Sequence, residues 1–394
     1  MKNIIIAGGG LVNKGAQAMT LISICELKKR FPEHRILLLT WNTSPAAKEK
    51  HSMYDLELLQ IPPLKFAQAA KKPLKRTIFS LCYGKSFLDV DAIYRNTDVF
   101  IDISGYALGS NWDVKICHDY LDNIEHALAY GIPVYLMPQS FGPFDYMDVE
   151  GKAIDARTRR LFPRIRHIFA REQEGYDILV SRYDLKNVTL THDMVLSSKL
   201  DDYSDAFREK QVFDLPAITE NSMAVIPNVR VGDSGVNDWL AVYAAAVRTG
   251  LKQGLYVYIT YHSTQDRQLC QEIKNEFADE DRVIFLDHDY SCIEFNELVK
   301  KFRFVVASRF HAIVHALKNG VPCVALGWAA KYMELMKLFG HEKYVFDLRE
   351  KVDSVDVKKA VEIMAQNCQT EAKVIKAALP KLQEVNVFDY IKKS

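Results

Sequence analysis

Short apolar runs alternate with longer segments of mixed polarity along most of the chain. Residues 3–7 form the first run, and a glycine-rich loop and an amphipathic stretch follow it. Short apolar runs flanked by turn residues predict buried strands, and the longer stretches between them predict helices. The same alternation predicts further strands at 35–40, 99–103, 134–137, 168–170 and 188–190.

The pattern restarts after an acidic stretch that contains Asp201, Asp202 and Asp205. Strands are predicted at 223–227, 256–260, 283–286, 304–307 and 321–326, with helices between them. Such alternation is typical of parallel sheets covered by helices on both faces. We therefore predict an α/β fold with two Rossmann-like, doubly wound domains that face each other across a cleft. The expected division is 1–205 for the first domain, 216–350 for the second, and 351–394 for C-terminal helices that pack back across the cleft.

Composition narrows the possible functions. A length of 394 residues suits two domains, and a formal net charge of +1 gives no overall attraction to nucleic acid. No apolar stretch approaches the roughly 20 residues that a membrane-spanning helix needs. The seven cysteines include no Cys-x-x-Cys pair, which argues against a zinc ribbon and against a disulfide framework. We expect a cytoplasmic protein that does not bind nucleic acid.

Residues 58–88 differ from the rest of the chain in charge. The segment has no Asp or Glu, and six cations are interleaved with apolar residues: Lys65, Lys71, Lys72, Lys75, Arg76 and Lys85. Basic amphipathic segments bind anionic membrane surfaces. A solvated basic loop is the alternative, and the sequence does not decide between the two.

A glycine-rich turn follows the first strand. Glycines there let the backbone approach an anion, and the start of the next helix offers free N–H groups to it. Ala16-Gln17 stands where a P-loop requires Lys-Ser/Thr, so hydrolysis of a nucleoside triphosphate by Walker chemistry is not expected. A tight turn without a ligand is the competing interpretation. The candidate anion- or acceptor-binding residues in this region are Gly9, Gly10, Asn13, Gly15 and Gln17.

Cationic and titratable side chains follow several predicted strands. The carboxyl ends of parallel strands meet at one edge of a sheet, so these side chains are expected to line the cleft. They are Arg171, Arg230, Arg309, His311 and Lys331, with Gln139, Asp193 and Ser308 in equivalent positions. Several cations beside one group that titrates near neutral pH describe a site for a polyanionic small molecule. For Arg171, an internal ion pair with Glu172 or Glu174 is a competing interpretation.

One pair of histidines has a spacing that zinc sites use. His311 and His315 lie one helical turn apart, but Ala312 stands where a zinc protease has its Glu, and the sequence offers no third ligand. We therefore predict no metal site.

The order of these motifs resembles the polysaccharide pyruvyl transferase family. The most specific block reads Arg309-Phe310-His311-Ala312, followed by Gly320-Val321-Pro322. The weaker blocks are the glycine-rich turn up to Met19, 137–143, 168–172 and His192-Asp193. The resemblance covers about residues 1–337. It implies the two-domain GT-B architecture of many glycosyltransferases and a donor, phosphoenolpyruvate, in place of a nucleotide sugar.

The resemblance also implies a reaction and roles for its residues. The product would be a pyruvate ketal on a sugar of a cell-surface polysaccharide, such as a capsule or exopolysaccharide, or of its lipid-linked precursor, formed without a cofactor. His311 would be the general acid and base, with Arg309 as a second catalytic residue. The remaining assignments are donor binding by Arg171, Lys331, Arg230 and Ser308, and acceptor or anion binding by Gly9, Gly10, Asn13, Gly15, Gln17, Gln139 and Asp193. A lipid-linked acceptor would suit peripheral attachment at the inner face of the membrane through 58–88.

Two other functions remain open from the sequence. A nucleotide-sugar glycosyltransferase or sugar-nucleotide epimerase would share the architecture, with Glu334 as a candidate ligand for a ribose. A non-enzymatic module could dock at a membrane assembly through residues 58–88. Binding of UDP without binding of phosphoenolpyruvate would favour the first of these alternatives.

Overall fold

The computed structural model describes residues 1–70, 72–233 and 235–392, which fold around two parallel sheets. The strands are β1 (Lys2–Ala7), β2 (His34–Thr40), β3 (Glu57–Gln60), β4 (Thr97–Asp102), β5 (Val134–Gln139), β6 (His167–Ala170), β7 (Val188–Leu190), β8 (Ser222–Ile226), β9 (Tyr256–Ile259), β10 (Val283–Phe285), β11 (Val305–Ala307), β12 (Cys323–Gly327) and β13 (Val345–Asp347). The helices are α1 (Lys14–Arg30), α2 (Pro45–Lys50), α3 (Leu64–Ala70), α4 (Pro73–Arg95), α5 (Val114–Ala129), α6 (Val149–Leu161), α7 (Gln173–Tyr183), α8 (Met194–Ser197), α9 (Trp239–Lys252), α10 (Arg267–Asn275), α11 (Cys292–Val299), α12 (Phe310–Lys318), α13 (Ala330–Lys337) and α14 (Ser354–Leu382).

In each sheet, the direction in which successive strands are added reverses once. The first has the order β3-β2-β1-β4-β5-β6-β7 and the second β10-β9-β8-β11-β12-β13, with parallel pairing throughout. The strand order reverses between β1 and β4 and between β8 and β11. In open α/β sheets a crevice forms beyond the carboxyl ends of the strands at such a reversal. The predicted pair of Rossmann-like sheets is therefore confirmed, and the loops after β1, β4, β8 and β11 mark where ligands are expected.

Helix α1 joins the two halves. Asn13 caps it, since its side chain accepts hydrogen bonds from the backbone N–H groups of Gly15 and Ala16. The first three turns are buried on nearly every side, and the helix packs against α11 and α12 of the second half as well as under the first sheet. One hydrophobic cluster consequently runs from β1 and β2 through α1 into the core of the second sheet.

The C-terminal region returns to the first half of the chain. Helix α14 packs along α9, and the turn after it brings Tyr390 to 5.0 Å from Phe169 and 4.7 Å from His167, measured between ring centroids. The side chain of Asp389 also pairs with Arg30 at the end of α1. The last residues thus help to hold the two halves together.

The sequence pattern missed several elements. Helix α6 is polar and buries only a few residues, among them Ile154 and Leu161, so its apolar stripe is weak. Helix α13 and strand β13 were not predicted either. The basic segment forms β3, α3 and α4, and Lys71 lies outside the described residues. None of the described helices is both long and apolar enough to cross a bilayer.

Candidate functional site

The two strand-order reversals face each other, and His311 touches the glycine-rich turn. His311 lies in the first turn of α12, directly after β11, and Gly15 opens α1 after β1. A Cβ atom built on Gly15 would stand 2.2 Å from Nδ1 of His311 and 2.5 Å from its Cγ. Such distances are far below contact, so only glycine at this position admits the imidazole. The sequence predicted an anion-binding role for Gly15; the structure shows a packing contact.

His311 shares a carboxylate with Arg171. Asp193 caps α8 with Oδ1, while its Oδ2 accepts a hydrogen bond of 2.9 Å from Nη1 of Arg171 and lies 3.6 Å from Nε2 of His311. Within the described chain, Nε2 of His311 has no hydrogen-bond partner. Burial lowers the pKa of His311 to about 4, opposed by Asp193 and assisted by Arg171 and Lys331. The free imidazole is therefore neutral at pH 7.

Hydrogen bonds and a contact with an aromatic ring hold the side chain of Arg171 in place. Its Nε donates to Oε1 of Glu172 over 2.7 Å, and its Nη2 donates to Oγ of Ser140 over 2.8 Å. Across the crevice its guanidinium carbon lies 4.6 Å from the ring centroid of Phe310. The competing interpretation of an ion pair with Glu172 is thus correct, but Arg171 also reaches Asp193 and stacks on the second half. This arrangement links the halves beside His311.

Lys331 has no carboxylate partner within the part of the chain that the structure describes. It lies at the start of α13, and its Nζ stands 5.0 to 5.6 Å from the ring centroids of Trp328, Phe310 and Tyr106. Among the described residues it forms neither a hydrogen bond nor an ion pair. Burial lowers its pKa to about 7, and the neighbouring Arg171 lowers it further while Glu172 and Asp193 oppose the shift. An anion bound here would restore the ammonium form.

A cavity of about 150 Å³ brings several of these groups together. Arg171, Asp193, Phe310 and Lys331 line it, with Glu172, Gln173, Leu190, Thr191, His192, Glu334, Leu335 and Leu338. We call it the first cavity. His311 is not among the lining side chains, but its Nε2 lies 3.6 Å from Oδ2 of Asp193, which does line the cavity. A second cavity adjoins the first and shares Glu172, Lys331 and Glu334 with it.

Three residues predicted in the second half have other contacts. Arg309 forms a bidentate pair with the fully buried Asp266, at 2.6 and 2.7 Å, and does not line the first cavity. The hydroxyl of Ser308 is 2.6 Å from that of Tyr243 in the core. Arg230 is exposed and pairs with Asp233. Arg309, predicted as a second catalytic residue, and Ser308 and Arg230, predicted to bind the donor, are thus each paired with another side chain of the second half.

The polar side chains of the first half that were predicted to bind the acceptor also form hydrogen bonds within the protein. Gln17 joins the halves, because its Nε2 donates to Tyr54 and its Oε1 accepts from the backbone N–H of Cys292. Gln139 is fully buried; it accepts from Tyr120 and donates to a backbone carbonyl of its own strand.

The glycines after β1 serve packing. A Cβ on Gly9 would meet Thr20 at 2.7 Å, and the N–H of Gly10 donates to the same threonine hydroxyl. Of the predicted acceptor set, Asp193 alone lines the first cavity.

Sequence reasoning named Glu172 as a possible partner of Arg171 but missed other residues that shape the crevice. Ser140 helps to orient Arg171, and the rings of Tyr106, Phe310 and Trp328 surround Lys331. The three rings come from different parts of the chain, and no spacing in the sequence connects them. Among the described residues, no group of three or more His, Cys, Asp or Glu side chains is arranged to hold a metal ion.

Comparison with known proteins identifies the family of this chain. The family model described as polysaccharide pyruvyl transferase matches residues 13–329. The chain belongs to the polysaccharide pyruvyl transferase family. The matched range contains Arg171, Asp193 and His311 and stops two residues before Lys331. A search of curated proteins found no match.

Solved structures share the fold at low sequence identity. A UDP-GlcNAc 2-epimerase from Methanocaldococcus jannaschii superposes with a TM-score of 0.59 at 14% identity, over 96% of this chain and 99% of that one. UGT89C1 from Arabidopsis thaliana, in complex with UDP, superposes with a TM-score of 0.55 at 12% identity, over 98% of this chain and 95% of that one. The spinosyn rhamnosyltransferase SpnG, in complex with thymidine diphosphate, superposes with a TM-score of 0.54 at 12% identity, over 98% of this chain and 95% of that one. The pyruvyl transferase thus has the two-domain fold of GT-B glycosyltransferases and epimerases.

Proposed function

We propose that this transferase takes the pyruvyl group from phosphoenolpyruvate and forms a ketal with two hydroxyls of a sugar. The observation that carries the proposal is the grouping of Arg171, His311 and Lys331 at the crevice between the halves. The donor carries a carboxylate and a phosphate, and cations in a low-dielectric crevice bind such groups strongly. Its enol carbon C3 must gain a proton, which requires an acid close to the bound donor.

The reaction balances without a cofactor. C3 gains one proton, C2 forms bonds to two sugar oxygens, and the C2–O bond to phosphate breaks. The two hydroxyl protons account for the new hydrogen on C3 and for the one on the departing hydrogen phosphate. His311 donates to C3 and recovers its proton from the second hydroxyl, so it ends the cycle as it began. Arg171 and Lys331 stabilise the charge on the leaving phosphate.

Binding of the donor supplies the protonation state that this chemistry needs. The pKa of about 4 leaves His311 neutral in the free protein, because burial and two cations disfavour the imidazolium. A donor with a dianionic phosphate and a carboxylate reverses that balance, since nearby negative charge favours the charged imidazole.

The proposal is tested by calorimetric titration with phosphoenolpyruvate and, separately, with UDP. We expect one donor per chain and an affinity that falls about tenfold or more in Lys331→Gln, the usual scale for losing a charge-assisted hydrogen bond. Lys337→Gln, which removes an exposed charge from the same helix, is the matched control and should change affinity less than twofold. Binding of UDP together with no binding of phosphoenolpyruvate would reject the proposal.

We further propose that the acceptor is a sugar of a cell-surface polysaccharide or its lipid-linked precursor, reached at an anionic membrane surface through 58–88. Helix α4 supports this, because Leu74, Ile78 and Leu81 lie at helical spacing and are 75%, 48% and 81% exposed. Lys72 and Lys75 are exposed beside them without ion-pair partners among the described residues. Exposed apolar side chains flanked by lysines suit a bilayer with anionic lipids.

Vesicle sedimentation tests this attachment. Leu74→Ser together with Leu81→Ser should abolish binding to vesicles that contain phosphatidylglycerol. Met147→Ser, which replaces an apolar side chain that is 85% exposed outside α4, should leave binding intact. Equal vesicle binding by the wild type, the Leu74→Ser/Leu81→Ser variant and the Met147→Ser variant would exclude α4 as the membrane contact.

A further inference from the structure

The second cavity lies beside the first, on the far side of Lys331. It measures about 190 Å³, and its lining includes Tyr106, Asn111, Glu172, Glu174, Glu334 and Arg349. It is built from both halves of the chain, since α7 supplies Glu174 and α13 supplies Glu334. A molecule bound here would lie next to one bound in the first cavity.

Glu172 presents an unused oxygen to both cavities. Its Oε1 accepts from Arg171 and from the hydroxyl of Ser140, at 2.7 and 2.9 Å, which fixes the carboxylate. Its Oε2 accepts no hydrogen bond from any described residue, although the side chain is only 10% exposed. Because the side chain lines both cavities, this oxygen is open to a ligand that brings a hydrogen-bond donor.

The charges of the second cavity restrict that ligand. Glu174 and Glu334 have no ion-pair or hydrogen-bond partner among the described residues. Apart from Lys331, the cation in the lining is Arg349, and its guanidinium is held by Asp347 through Nε at 2.9 and 3.1 Å. Counting Asp347, which pairs with Arg349, the carboxylates around the second cavity outnumber its cations by four to two, whereas the ratio around the first cavity is three to two. The second cavity therefore favours hydroxyls or an ammonium group, which donate hydrogen bonds to carboxylates, over another carboxylate.

Tyr106 provides a fixed wall of the second cavity. Its hydroxyl donates to the carbonyl oxygen of Gly142 over 2.7 Å, and its ring packs edge-on against Trp112 with 5.2 Å between centroids. Nζ of Lys331 lies 5.6 Å from the centroid of the Tyr106 ring. The polar end of this tyrosine is therefore occupied, and its ring offers an apolar surface of the kind that a sugar ring can cover.

We propose that the second cavity binds the acceptor sugar, that it selects a neutral or amino sugar against a uronic acid, and that Glu172 takes the proton of the attacking hydroxyl. This inference rests on the proposed pyruvyl transfer. As the sugar oxygen bonds to C2, its proton passes to Oε2 of Glu172. When the C2–O bond to phosphate breaks, Glu172 returns that proton to the phosphate, which leaves as hydrogen phosphate.

Binding of matched sugars tests the selection. Methyl hexopyranosides and their C6 uronic acid counterparts are compared by saturation-transfer NMR, with the protein saturated by phosphoenolpyruvate. At least one neutral or amino glycoside should bind about tenfold or more tightly than its uronide, because the carboxylate of the uronide would lie beside the carboxylates of the cavity. Glu174→Gln with Glu334→Gln should reduce that preference. Equal binding of every pair, or a preference unchanged in the double variant, would overturn the assignment.

Turnover tests the role of Glu172. Glu172→Gln keeps the oxygen that Arg171 needs but cannot take a proton, so kcat should fall about 10²-fold with donor affinity retained. Glu334→Gln should raise KM for the acceptor with a much smaller change in kcat. A Glu172→Gln variant with unchanged kcat would remove Glu172 from the mechanism. Sugar binding without any pyruvyl transfer would refute the proposed function and leave the sugar site standing.

Discussion

The contact between Gly15 and His311 allows a substitution that disturbs the imidazole from the opposite half of the chain. In Gly15→Ala the new Cβ would stand 2.2 Å from Nδ1, whereas ordinary contact begins at 3.4 Å. Either the ring retreats by about 1.2 Å or α1 moves with it. Displacement of a catalytic group by about 1 Å costs roughly 10² in rate, and we expect a loss of kcat of that size.

Stability should be little affected by the same change. Gly15 has an ordinary helical backbone, and alanine is the better helix former by up to about 1 kcal/mol, which offsets part of the cost of the contact. Gly10→Ala is the matched control, because its Cβ would meet Ala16 at 3.6 Å, an ordinary distance. That variant should keep near wild-type activity.

The assay measures phosphate release from phosphoenolpyruvate in the presence of acceptor, alongside thermal unfolding of each variant. If Gly15→Ala acts only through His311, its combination with His311→Ala should be no slower than His311→Ala alone. Wild-type kcat in a folded Gly15→Ala protein would refute this reasoning. An equal loss in Gly10→Ala would refute it as well, since the effect would then be general to the turn.

Two further predictions concern charge. Affinity for phosphoenolpyruvate should fall as pH rises from 7 to 9, by at most about tenfold per unit, because the anion binds the ammonium form of Lys331 and its pKa in the free protein is about 7. The phosphate of the donor is already dianionic in this range, so a calorimetric series that is flat from pH 7 to 9 would contradict the assignment. Arg309→Ala should lower the free energy of unfolding by roughly 3 kcal/mol, because it leaves the buried Asp266 carboxylate without its partner. Urea denaturation measures this, and a change below about 1 kcal/mol would show that the pair is not structural.

The alternating pattern predicted both sheets apart from the edge strands β3 and β13, because a buried parallel strand must be short and apolar whatever surrounds it. It also located Arg171, Asp193, His311 and Lys331, since each follows a strand and the topology brings strand ends together. Elements with a weak apolar stripe, such as α6, escaped prediction, because few of their side chains are buried.

Position after a strand does not reveal where a side chain finds its partner. Arg309 satisfies the same rule as Arg171, yet Asp266 holds it within the second half. Gln17 and Gln139 likewise find partners inside the protein. These pairings join residues far apart in the sequence, and the fold had to be known before they could be recognised. The rings around Lys331 escaped prediction for the same reason.

The proposed transfer of the pyruvyl group from phosphoenolpyruvate to a sugar requires a proton that His311 donates to C3. The most direct measurement follows phosphoenolpyruvate labelled with ¹³C at C3 by NMR, in the presence of the glycoside that binds best, for the wild type and His311→Asn. We expect the methylene signal to be replaced by a ketal methyl signal, with one phosphate released per methyl group formed, and we expect His311→Asn to slow this conversion about 10²-fold or more. Consumption of a nucleotide sugar with no change in the labelled donor, or an unimpaired His311→Asn variant, would contradict it.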